Sequence, residues 1–162
     1  MSTNIRVRRA TVRDSDAIAR MSGEASRDEG VPPSSLDADL VRAHGFGQTP
    51  LFDAFVAEGP KGIVGHAITH KGYDVRYACP TMIVAELYVV PDARRAGVAR
   101  HLISALARRA REIGCRRMSI TTGLENAVAH RFYAAIGAKE EGTKHFLLAS
   151  DAIEWLAAEG AT

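Results

Sequence analysis

The stretch Ala85-Glu-Leu-Tyr-Val-Val-Pro-Asp-Ala-Arg-Arg-Ala-Gly-Val-Ala99 restricts what this chain can fold into more than any other. Together with the apolar run Met82-Ile83-Val84 before it, it reads as a strand buried on both faces. Pro91-Asp92 turns the chain, and Arg94-Arg95-Ala96-Gly97-Val98-Ala99 opens a helix of apolar periodicity. Small residues at Gly97 and Ala99 let a ligand come close to the backbone. The free N–H groups and positive dipole end of a helix favour an anion there. The stretch is therefore read as a cradle for a diphosphate.

At 162 residues the chain is expected to form one domain over residues 1–162, large enough to bury a core. No apolar run has the length of a membrane span, so no membrane partner is expected. The start, Met-Ser-Thr-Asn, lacks the charged and apolar blocks of a signal peptide. Cys79 and Cys115 are too few and too far apart for a disulfide framework or a zinc site. A reducing cytoplasm is the expected compartment. Eight arginines lie between Arg94 and Arg117 against a single acid, Glu112. They form either a solvated helix face or a positive field for a phosphorylated ligand. No aromatic-rich or recognition-helix pattern accompanies them, so nucleic acid is not expected.

Residues Asn4 to Ala10 alternate apolar and basic side chains, as a strand with one wet face does. Thr11-Val-Arg-Asp14 offers helix caps, and Ala17, Ile18 and Met21 follow at helical spacing until Gly30-Val-Pro-Pro33. A short helix is predicted over Ser35–Ala43. Phe52–Glu58 and Ile63–His70 read as a hairpin around Gly59-Pro-Lys-Gly62. A loop through Gly72–Pro80 leads into the opening strand. Gly114 ends the helix that begins near Gly97, and Arg116–Thr122 is another strand. Asn126 starts a helix that Gly137 ends; His145–Leu148 is a last short strand before a helix over Asp151–Ala158. The order β-α-α-β-β-β-α-β-α-β-α indicates an α/β domain around one mixed sheet.

Arg94-x-x-Gly97-x-Ala99, after a strand ending Leu87-Tyr88-Val89, resembles the acetyl-CoA signature of the GNAT superfamily of N-acetyltransferases. Asn126-Ala-Val-Ala-His-Arg-Phe-Tyr133 followed by Ile136-Gly-Ala138 resembles the second motif of that family, at the expected separation. A narrower resemblance, to the diamine (spermidine/spermine) N-acetyltransferase branch, covers most of the chain beyond residue 40. It rests on His44-Gly-Phe-Gly47, Val56-Ala-Glu58, Ile63-Val-Gly-His-Ala67, Tyr73-Asp74, Glu86-Leu-Tyr-Val89 and the closing His145-Phe-Leu-Leu. The chain departs from that branch at Ala85, where an acid is usual, and at Arg76, Glu125 and Thr143, where aromatics are usual.

The resemblance implies a GNAT fold: a mixed, mostly antiparallel sheet of six to seven strands, flanked by helices and splayed at its central strands. It also implies acetyl-CoA as acetyl donor, a small-molecule amine as acceptor and a homodimer. In this reading the main chain from Arg94, Arg95, Ala96, Gly97, Val98 and Ala99 to Arg100 holds the diphosphate, and Leu87, Tyr88 and Val89 hold the pantetheine arm. Asn126 binds cofactor, caps its helix, or both. Tyr133, whose ordinary pKa near 10 keeps it protonated at neutral pH, is the candidate general acid; without the motif it would read as core. Glu86 is the candidate base, a charge anchor for the acceptor ammonium, or one half of a salt bridge to a nearby arginine. Asp28 and Glu29 add negative charge to the acceptor cleft or are simply solvated. His66, His70 and His145 read as sheet residues, and no metal is expected. The function so read is N-acetyltransferase acting on the primary amine of a diamine/polyamine-like or amino acid-like small molecule by direct attack on the thioester. Acetylation of a protein N-terminus, a lysine or an aminoglycoside, or non-catalytic acetyl-CoA binding, are the alternatives.

Overall fold

The computed structural model describes residues 4–159; Met1–Thr3, part of the N-terminal reading above, lie outside them. The backbone divides after Asn126 into two units. The first holds β1 (Arg6–Arg9), α1 (Ser15–Glu29), α2 (Ala38–Phe46), β2 (Asp53–Gly59), β3 (Gly62–Asp74), β4 (Cys79–Val89), α3 (Val98–Glu112) and β5 (Arg117–Ile120). Its strands lie in the order β1-β2-β3-β4-β5. All pairs are antiparallel except β4–β5, which is parallel. This is the expected mixed α/β sheet, with five strands among the described residues instead of six to seven.

Local chemistry explains most boundaries. The Asp14 carboxylate accepts from the Thr11 N–H at 2.7 Å, a reciprocal cap that starts the turn into α1. Gly30, at φ 65°, ends that helix. Asp37 caps α2 by accepting from the Leu40 N–H at 2.8 Å, which moves its start from the expected Ser35 to Ala38. The expected loop over Gly72–Pro80 is instead the end of a long hairpin. β3 runs on through Asp74 and β4 begins at Cys79, with Asp74 Oδ1 accepting from the Tyr77 N–H across the turn. His145–Leu148, expected as a strand, is irregular. An apolar run becomes a strand only where a neighbour closes its backbone groups into a ladder, and a sequence pattern does not supply the neighbour.

The sheet is covered on both faces. On one, Val98, Leu102, Ala105, Leu106 and Ala110 of α3 pack against Phe55, Ala57, Ala67, Met82, Val84 and Val89. Leu102 and Leu106 are wholly buried, each contributing about 1.5–3 kcal/mol of transfer free energy. On the other, Ile18 of α1 and Val41 of α2 cover Ala54, Val56 and Ile68, while Met21 and Ala25 cover Tyr88.

One irregularity in β4 decides the rest. The β3–β4 register passes from Thr69↔Val84 to Ile68↔Glu86, so Ala85 is an extra residue, a β-bulge. Side chains alternate along a strand, and without the bulge Glu86 and Tyr88 would share the α3 face with Met82 and Val84. The inserted residue moves Glu86 and Tyr88 to the α1 face and gives Leu87 and Val89 to the α3 core.

The second unit carries α4 (Ala127–Ala135) and α5 (Ser150–Glu159). Gly137, at φ 91°, ends α4 in a Schellman arrangement, with Ala138 N–H donating to Tyr133 O at 3.0 Å and Gly137 N–H to Ala134 O at 3.1 Å. Asn126, expected to open this helix, lies just before it.

Candidate functional site

Parallel pairing of β4 with β5 stops at Val84↔Ile120, whereas β4 continues to Val89. Beyond that point β4 has a partner only in β3 among the described residues, so the sheet is splayed as expected. The Val90 N–H donates to Val64 O at 3.0 Å. By the alternation of an antiparallel ladder, Tyr88 and Glu86 then turn their main-chain groups toward β3, and Leu87 and Val89 turn theirs to the open side. Arg94 Nε donates to Val89 O at 2.9 Å. The Leu87 N–H and C=O and the Val89 N–H are left facing the gap, in the spacing of a strand edge.

The chain leaves this edge through a 3-10 turn, Pro91–Ala93, and enters α3 through two left-handed residues, Arg95 at φ 60° and Gly97 at φ 81°. Gly97 has no side chain to cap α3, so the first N–H groups of the helix point outward uncapped. Arg95, Ala96, Gly97 and Arg100 are exposed there, whereas Val98 is buried as the anchor of the helix and Ala99 is half-buried. A positive dipole end, uncapped amides and left-handed backbone form a concavity suited to an anion.

Arg94 is placed differently from its neighbours. Its guanidinium lies 5.5 Å from the centre of the Tyr88 ring and pairs with Asp28, while its Nε holds Val89 O. It ties α1 to the end of β4. Asp28 and Glu29, whose sequence position before Pro32-Pro33 suggests a loop, sit in the last turn of α1. Glu29 is exposed, but the charge of Asp28 is offset by Arg94.

Beneath this turn the bulge gathers polar groups on the α1 face. Glu86 Oε1 is hydrogen-bonded to Nε2 of the wholly buried His66, and Glu86 Oε2 accepts from Ser22 Oγ at 2.9 Å. Ser22 Oγ is in turn 3.1 Å from Ser34 Oγ. The Tyr88 hydroxyl reaches Glu24 Oε2 at 3.4 Å. Burial, together with the charges of Asp28 and Glu24, raises the Tyr88 phenol above its ordinary value. Of the three acids here, Glu24 faces Arg20 and Asp28 faces Arg94. Glu86 has no arginine or lysine partner among the described residues, so the salt bridge to a nearby arginine considered for it is not formed there. Its titratable neighbour is His66. The described residues hold no cluster of metal-ligating side chains.

His66, Ser22 and Ser34 were invisible as site residues in the sequence. Counting back from the hairpin turn, where Asp74 faces Cys79, places His66 opposite Leu87 and Glu86 on the far face. Only the bulge makes His66 and Glu86 diagonal neighbours. In the second unit, Tyr133 lies on α4 with its ring centre 5.3 Å from that of Phe132.

The site can hold an anion at a helix start, pair an extended ligand on a strand edge, and present one carboxylate without an arginine or lysine partner among the described residues. The chain as a whole is similar to known proteins. The chain is 26% identical to a thialysine N-epsilon-acetyltransferase of Bos taurus, over 94% of this chain and 97% of that one. It is 29% identical to an aminoglycoside N(6')-acetyltransferase type 1 of Salmonella typhimurium, over 64% of this chain and 74% of that one. Its fold is shared with an aminoglycoside N-acetyltransferase solved in complex with CoA, at a TM-score of 0.75 and 22% identity over 93% of this chain and 97% of that one. Residues 19–138 match the model of the Acetyltransferase (GNAT) family, a span running from α1 through the splayed edge and the Gly97 turn to the end of α4, and the chain belongs to that family.

Proposed function

We propose that this protein transfers the acetyl group of acetyl-CoA to the primary amine of a small molecule. The observation that carries this reading is the open edge of Leu87–Val89 running directly into the uncapped, left-handed turn at Arg95–Gly97. Acetyl-CoA supplies an activated acetyl thioester. The amides of Val98, Ala99 and Arg100, with the side chains of Arg95 and Arg100, hold the diphosphate. Leu87 and Val89 align the pantetheine arm by main-chain hydrogen bonds, and a backbone N–H on this edge polarises the thioester carbonyl. Arg94 contributes by fixing the edge to α1, and Tyr88 anchors that contact. Asn126 supports the cofactor ahead of α4.

The acceptor arrives as an ammonium and must lose a proton before its nitrogen can attack. Glu86, whose charge no arginine or lysine offsets among the described residues, attracts the ammonium and accepts that proton, directly or through a water. The amine nitrogen then bonds to the acetyl carbon, the carbon–sulfur bond breaks, and the Tyr133 phenol protonates the departing thiolate. Glu29 and the partly offset Asp28 add negative potential on the acceptor side. The two curated relatives named above both carry, in their names, acetylation of an amine on a small molecule. That supports a small amine over a protein substrate and over non-catalytic binding. The family match crosses the division after Asn126, which supports one catalytic domain over residues 1–162. The unpaired, buried Cys79 and Cys115 support a reducing cytoplasm, and a homodimer is the assembly we expect in solution.

The test is thiol release from acetyl-CoA with a panel comprising thialysine, spermidine, an aminoglycoside and a peptide N-terminus. Turnover on at least one small amine is expected. CoA binding without turnover on any amine would reduce the protein to a binding module, and turnover on the peptide alone would overturn the substrate class.

A further inference from the structure

We infer that His66 is the positioning residue of Glu86: from β3 it donates a hydrogen bond that, with Ser22 on α1, fixes the carboxylate toward the acceptor. The inference rests on Glu86 being the acceptor-side carboxylate proposed above. An ionised carboxylate only accepts hydrogen bonds, so the imidazole proton sits on Nε2. His66 Nδ1 is buried without a partner among the described residues. Nε2 is therefore the ring atom that donates, and Nδ1 makes no hydrogen bond among those residues that could compete for the ring's orientation.

The second donor is equally constrained. Ser22 has one hydroxyl hydrogen, given to Glu86 Oε2. The 3.1 Å contact to Ser34 is therefore donated by Ser34, which itself accepts from the Leu36 N–H at 3.2 Å. Glu86 is thus gripped from two elements: His66 under the bulge, and a hydroxyl pair leading to the segment before α2. Two of its roughly four lone-pair sites are taken, and the side chain remains 25% exposed for an ammonium or water. An orphaned ring nitrogen in a sheet position with no solvent access is a packing liability that leucine or phenylalanine would avoid. What the imidazole alone adds is the donor to Glu86.

The experiment compares His66→Leu, which removes the donor, with His66→Gln, whose amide places a donor near the Nε2 position. Each is made alone and with Glu86→Gln. His66→Leu is expected to lower kcat for the amine about 10- to 100-fold, as loss of alignment does, while the KM for acetyl-CoA stays within about 2-fold. His66→Gln should regain most of that loss. In the Glu86→Gln background His66→Leu should cost little more, because the two act as one unit. Equal losses from His66→Leu in both backgrounds, or no recovery by glutamine, overturn the positioning role and leave Glu86 untouched. Undiminished turnover in Glu86→Gln alone instead removes the reading of Glu86 on which the proposal rests. Imidazole 15N spectra of the wild-type protein decide independently of whether the variants fold. A protonated Nε2 is expected, and a ring whose Nε2 carries no proton overturns the inference.

Discussion

Gly97→Ala isolates the turn that opens α3. Gly97 sits at φ 81°, ψ 2°, and the left-handed region costs an L-residue about 1–2 kcal/mol. A Cβ there would meet only the His101 ring at 3.7 Å, an ordinary contact, so no steric term adds to the backbone cost. Alanine also lowers the entropy of the unfolded chain, offsetting about 0.4–1 kcal/mol. The net loss should be about 1 kcal/mol, or about 2–4 °C in Tm for a chain of this size. The functional effect should be larger than the structural one. Alanine pulls the backbone away from the left-handed region, and the concavity presented to the diphosphate opens with it. Thermal melts with and without CoA separate the two effects. Wild-type protein at about 100 times Kd should gain about 2.7 kcal/mol, and Gly97→Ala should gain clearly less at the same CoA concentration. Gly97→Asn, whose side chain tolerates this region, should lie between them. An alanine variant with the same CoA-induced shift as the wild type would refute the cradle. An asparagine variant no better than alanine would refute the backbone argument.

Leu102→Ala, at a wholly buried position of α3, should cost about 2–5 kcal/mol in denaturant melts; a loss below about 1 kcal/mol would contradict the packing of α3 on the sheet. Asp14 is held below its ordinary value of 3.8, first by its hydrogen bond to Arg8 and also by the Thr11 amide. A depressed carboxylate stabilises the fold above pH 3.8 and loses that contribution as pH falls through the lower folded value. Arg8→Met should therefore raise the acid midpoint of unfolding, and an unmoved midpoint would show that the pair does not act this way. The raised Tyr88 phenol works in the opposite sense. It stabilises below pH 10 and loses that contribution as pH rises through the folded value, so Tyr88→Phe should lessen alkaline destabilisation in melts above pH 10. Tyr133→Phe should lower turnover while CoA affinity holds; equal turnover would remove the acid assignment.

The α/β class, the strand–turn–helix around Gly97 and the caps at Asp14, Gly30 and Gly137 were legible because each depends on residues close in sequence. Periodicity reports burial, and glycine or aspartate at a boundary reports backbone geometry. The family motifs were legible for the same reason, since an anion cradle is made from consecutive backbone groups. His145–Leu148 failed as a strand because pairing is not a property of one segment. Asp28 looked free from its sequence neighbours, but its partner Arg94 lies 66 residues away.

What the sequence determined alone was the strand, the turn and the helix start around Gly97, written in one continuous stretch. What only tertiary structure decided was the face on which Glu86 lies and the company it keeps. A single inserted residue, Ala85, reverses the alternation of β4 and brings Glu86 beside His66 and Ser22. No count along one strand reveals a bulge, because the extra residue exists only relative to the strand paired against it.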